Sequence, residues 1–170
     1  MSAAPAAIPL EEYLTTDYEP DCDYVDGSLE ERNVGKQKHS RTQFRLGAWF
    51  AAREKELGMR GLTEQRVQVQ PRRVRIPDVC LVATGTKDEV LQEPPILWVE
   101  ILSPDDHFNR IQKRVNDALQ FGVPTIWIID PYSTDAWIVT PQGGTQQATD
   151  GILRCANPPL ELPLAEILPD

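Results

Sequence analysis

The stretch PILWVEILSP, residues 95–104, is an apolar run with a single charge, Glu100, inside it. Bounded by proline at both ends, it has the length and composition of a buried strand. Ser103–Pro104 ends that strand, and Asp105 or Asp106 stands where a helix N-cap is expected. Beyond them Phe108, Ile111, Val115 and Ala118 form one stripe at 100° per residue, and Gly122 ahead of Pro124 closes the helix. Thr125–Asp130 reads as a second buried strand and Ala136–Thr140 as an amphipathic one. Toward the N-terminus, Val74–Val82 reads as one strand interrupted at Pro77, and Arg66–Gln70 alternates as a half-exposed strand. An amphipathic helix is expected from Lys38 to Leu57, stopped by Gly58. Tyr24–Gly27 and Ser28–Asn33 form a hairpin through an Asp-Gly turn, and Pro9–Thr15 a short helix. The order predicts a mixed α/β domain with one sheet between helices. Residues 1–170 make one domain, with a helix within 1–20 and a proline-rich wrap over 156–170.

Composition narrows the classes. With 170 residues, 41% hydrophobic and 25% charged, the chain has the makeup of one globular domain rather than a disordered or fibrous protein. Apolar runs such as Ile126–Ile129 are too short for a bilayer, and Ala3–Ile8 lacks the pattern of a secretory leader. Cys22, Cys80 and Cys155 show no CxxC spacing, so a reducing cytoplasm is expected. The net charge of −9 hides an asymmetry: from Arg32 to Arg75, twelve Lys or Arg face three acids. That segment is either a basic face for a phosphate backbone or a solvated helix face and strand.

The chemistry points to two acids. Asp78 follows Pro77, and Glu100 sits between Val99 and Ile101, where an unpartnered carboxylate is costly to bury. Two acids at one end of adjacent strands repel unless a cation lies between them, and a hard ion such as Mg²⁺ takes oxygen ligands of this kind. The alternative is an outward-facing Glu100, or one paired with an arginine such as Arg75. Asp130 before Pro131 reads as a turn. Walker, GxGxxG, GxSxG and HExxH patterns are absent.

Together, Pro77–Asp78, Val99–Pro104, Phe121–Pro124 and Trp127–Pro131 resemble the Uma-type family of restriction endonuclease-like proteins, within the PD-(D/E)XK nuclease superfamily. The resemblance runs from Tyr24 through Leu164. It implies a central mixed sheet flanked by helices, and hydrolysis of DNA phosphodiesters with Mg²⁺ or Mn²⁺ on Asp78 and Glu100. The Ile101 carbonyl is then the third metal ligand, and a homodimer suits double-strand cleavage. The superfamily's lysine two residues after the glutamate is Leu102 here. Arg114 or Gln112 on the following helix is the expected replacement, since both flank the apolar stripe whereas Lys113 points away. Asp23 stands where relatives have Glu, and His39 matches a histidine near the start of their long helix. Lys36, Lys38, His39, Arg41, Arg45, Arg73 and Arg75 are the expected DNA contacts. The competing expectation is a nuclease fold that has lost full activity and serves as a binding or assembly partner.

Overall fold

A computed structural model describes residues 6–33 and 35–169; residues 1–5 of the expected N-terminal helical segment, which include part of Ala3–Ile8, lie outside them. In chain order the elements are α1 (Leu10–Leu14), β1 (Cys22–Val25), β2 (Ser28–Glu31), α2 (Gln37–Ala51), α3 (Glu54–Leu57), β3 (Met59–Thr63), β4 (Val67–Gln70), β5 (Arg73–Arg75) and β6 (Val79–Ala83). Then come β7 (Leu97–Ile101), α4 (Phe108–Phe121), β8 (Ile126–Asp130), β9 (Asp135–Thr140), β10 (Gly144–Gln147), β11 (Ile152–Ala156) and β12 (Pro159–Pro163).

The centre is a six-stranded mixed sheet ordered β10-β9-β8-β7-β6-β3. Its neighbours β7 and β8 run parallel, and α4 is the crossover that a parallel pair requires. Strand β7 reads as continuously apolar because both of its faces are buried. Leu97, Val99 and Ile101 pack with Leu46 and Phe50 of α2, whereas Trp98 packs with Val115 and Ala118 of α4. Glu100 shares the α4 face with Trp98, since alternate residues of a strand share a face. A smaller antiparallel sheet ordered β2-β1-β5-β4 stands beside the large one.

The structure departs from the sequence reading at several points. The expected strand Val74–Val82 is two strands in two sheets, so there is not one sheet alone. Strand β5 pairs with β1 and β4, while β6 pairs with β3 and β7. Pro77, which has no N–H for a ladder, lies at the crossing. The unanticipated β3 carries Gly61 at its centre, where a Cβ would meet Phe50 Cβ at 3.2 Å. The long basic helix breaks after Ala51 into α2 and α3, and Gly58 ends α3 with φ 65°. Where a proline-rich wrap was expected, β11 and β12 form a hairpin whose Leu153 and Leu162 join the core under α2. Neither Asp105 nor Asp106 caps α4. His107 holds the N-cap position, and Asp106 instead accepts the Ser103 amide. Phe108 leaves the predicted stripe and is 77% exposed. Cys22, Cys80 and Cys155 are buried free thiols.

Candidate active site

Asp78 and Glu100 lie on one face of the large sheet. The antiparallel register of β6 and β7 pairs Val79 with Val99 and Cys80 with Trp98. Carried one residue further, it sets Asp78 opposite Glu100, and the Asp78 amide donates to the Val99 carbonyl at 3.1 Å. Every carboxylate oxygen of the pair has a partner. Asp78 Oδ2 accepts the Ile101 amide at 2.6 Å, and Oδ1 accepts Arg32 Nη2 at 2.8 Å. Glu100 Oε1 accepts Trp98 Nε1 at 2.7 Å and Arg114 Nε at 3.1 Å, while its Oε2 lies 3.0 Å from Arg114 Nη2. Arg32 and Arg114 also both donate to the Ile76 carbonyl. His39, in the first turn of α2, brings Nε2 to 3.5 Å from Asp78 Oδ1, and its buried Nδ1 has no partner among the described residues.

The site is strongly polarised. Burial pushes the Glu100 carboxyl up to about 7; Arg114 opposes that shift and the Asp78 charge adds to it. Burial also raises Asp78, but the His39 hydrogen bond and the Arg32 charge outweigh it and hold this carboxyl below its usual range. Burial disfavours the His39 cation, yet its contacts with Asp78 carry the imidazole above its ordinary value. The signs give a pH dependence. Glu100 binds its proton more tightly folded than unfolded, so its contribution is full below the unfolded value of 4.5 and lost as pH rises to about 7. His39 has the same sign, full below 6.5 and lost above it. Asp78 has the opposite sign, contributing above 3.8 and losing that contribution as pH falls. Urea unfolding should therefore show stability declining from about pH 5 to about pH 8, with a shallower decline in Glu100→Gln.

A cavity of about 20 Å³ lies among Asp78, Glu100, His39, Arg32 and Arg114, room for roughly one water or one ion. Two carboxylates are the ligand type that a hard divalent cation takes. Among the described residues, however, no three His, Cys, Asp or Glu side chains group as metal ligands. Further ligands would therefore have to come from the main chain or water, and the two arginines would have to release carboxylate oxygens.

The other expected site residues separate. Gln112 is exposed on the far side of α4, as about 200° of helical rotation from Arg114 requires. Arg114 is buried and pairs with Glu100. Asp23 does not line the cavity. Its oxygens take the Ile76 amide at 3.1 Å and Arg75 at 3.0 Å, and Arg114 Nη1 stands 3.7 Å away. Arg75, expected on DNA, is 2% exposed and bound to Asp23, Glu30 and Asp117. Arg73 joins Asp26 and Asp117. His39 faces Asp78 instead of solvent, and Arg45 donates to the Leu168 carbonyl. Lys36 is exposed beside Asp105, Lys38 stands over the Tyr132 ring, and exposed Arg41 lies over Phe44. Asp130 holds a turn by accepting the Tyr132 and Ser133 amides. Sequence reasoning missed Arg32, counted only within the basic run, and the Trp98 indole. The Trp-Val-Glu spacing was the available signal for the latter, because residues i and i+2 of a strand share a face.

No helix among the described residues is long and apolar enough to cross a membrane. Among curated proteins none matches this sequence. A solved structure, that of a putative nuclease belonging to DUF820 from Anabaena variabilis ATCC 29413, superposes with a TM-score of 0.81. The match covers 96% of this chain and 98% of that one at 22% identity, a likeness that shows a shared fold. The sequence profile of Uma2, described as putative restriction endonuclease, matches residues 10–169, and the chain belongs to that family.

Proposed function

We propose that this protein is a divalent-metal-dependent endonuclease that hydrolyses DNA phosphodiester bonds at the Asp78–Glu100 pair. The observation that carries the reading is the pair of buried acids in register on one sheet face, with His39 against one and Arg114 against the other. Asp78, Glu100 and the Ile101 carbonyl would hold Mg²⁺ or Mn²⁺. Bound there, the ion supplies charge neutralisation for a phosphate and a water of lowered pKa. Arg114 remains protonated, so it orients Glu100 and offsets phosphate charge but takes no proton. Arg32 does the same for Asp78, and the Ile101 amide fixes the Asp78 rotamer. Exposed Lys36, Lys38 and Arg41 on or beside α2 are the remaining backbone contacts for DNA. A homodimer would present two such centres to the two strands of a duplex.

A second reading is favoured by one observation. Leu102 replaces the expected lysine, and guanidinium groups already occupy the acids, as in a fold retained for binding. Supercoiled plasmid incubated with the protein and Mg²⁺ or Mn²⁺ separates the two. Relaxed circles that vanish with EDTA are expected, whereas intact plasmid with either metal leaves only the binding role.

A further inference from the structure

The small cavity between the acids shares its walls with two larger spaces. On one side lies a polar cleft of about 340 Å³, with Arg32, Asn33, His39 and Asp78 lining both. On the other lies an apolar cavity of about 550 Å³, separated from it by Ser103, Asp106 and Ile111, which line both. Phe108, Tyr132 and Trp137 line that second cavity, with Leu102 and Ile128 at its floor. Its volume is in the range of small-ligand sites. It opens outside the carboxyl ends of the parallel strands β7 and β8, the position where open α/β sheets take ligands.

Two features make this cavity more than a packing gap. The wall it shares with the acids is fixed, because Asp106 accepts the Ser103 amide and the Asn33 side chain at 2.6 Å each. The Phe108 ring stands in solvent at 77% exposure, and Lys38 holds its ammonium 5.7 Å from the Tyr132 ring centre, a cation beside an aromatic face. Aromatic faces next to a cation suit a base with its phosphate, since stacking tolerates any sequence and the ammonium attracts the phosphate.

We propose that the aromatic cavity receives an unstacked nucleobase of single-stranded DNA whose adjoining phosphate lies beside Lys38, on the side of the Asp78–Glu100 pair. This inference rests on the nuclease reading and names its substrate class: a single strand or a locally opened duplex.

The test is fluorescence anisotropy in EDTA with a short labelled single strand and the duplex of the same sequence, on wild type, Phe108→Ala and Tyr132→Ala. Wild type should bind the single strand more tightly than the duplex. Phe108→Ala and Tyr132→Ala should each weaken single-strand binding about tenfold and leave duplex binding essentially unchanged. Because Phe108 is exposed, its removal leaves the core intact. Unchanged single-strand binding, or equal losses on both forms, overturns the proposal. A change in sedimentation mass on Phe108→Ala without any change in DNA binding overturns it too, by assigning the surface to a second copy. The two readings fail separately. A selective loss in Phe108→Ala by a protein that never nicks plasmid keeps the base cavity and removes the nuclease; nicking with unaltered single-strand binding does the reverse.

Discussion

Asp78→Asn and Glu100→Gln should each reduce plasmid nicking by roughly 10³-fold, with far-ultraviolet circular dichroism unchanged. A bound metal ion contributes several kcal/mol of charge stabilisation at a phosphate, and each 1.36 kcal/mol is tenfold in rate. Both substitutions keep side-chain volume while removing the negative charge on which the proposed ion would depend. In Asp78→Asn the side-chain amide keeps an oxygen for the Ile101 N–H, and in Glu100→Gln it keeps one for the Trp98 indole, so these neighbouring bonds have replacements in kind. Nicking at the wild-type rate in both variants would mean that the acids serve the fold and that the hydrolysis arises elsewhere.

Arg75→Met should be strongly destabilising. The guanidinium donates to Asp117 at 2.8 Å, Asp23 at 3.0 Å and Glu30 at 2.7 Å. Burial disfavours its cation, and the surrounding carboxylates more than restore it. Removing it leaves Asp117 with Arg73 and Asp23 with the Ile76 amide and a more distant Arg114, and breaking a buried pair in this way costs about 3–5 kcal/mol. A stability of about 5–15 kcal/mol leaves little margin for such a loss. For a chain of this size the melting temperature should fall by roughly 10 °C, read by calorimetry. A DNA-contact arginine would behave otherwise, leaving melting alone and changing the salt dependence of binding. An unshifted melt would therefore return Arg75 to the surface role first expected of it.

That reversal marks where the sequence stops being legible. Strand β7 could be read because burial on both faces writes itself as an apolar run broken by one charge, Glu100. Helix α4 could be read from Ile111, Val115 and Ala118 together with Gly122. The convergence of Asp78 and Glu100 was visible as two acids in strand positions either side of one connection. Arg75 was opaque, since its partner Asp117 lies 42 residues away and a charge count cannot tell a paired cation from a free one. Pro77 was legible as a break but not as a crossing between sheets, because that depends on which distant strands pair on each side. Strand β3 was hidden by Gly61, whose small size serves the approach of α2 and erases the alternation a strand normally shows. Phe108 matched the helical period, yet that end of α4 is open to solvent.

The guanidinium groups of Arg32 and Arg114 act as resident counterions for Asp78 and Glu100. The acids are neutralised within the polypeptide itself, so the fold needs no added cation to offset them. If the proposed ion binds there, folding and loading are separate events, and scarcity of metal would idle the protein without unravelling it.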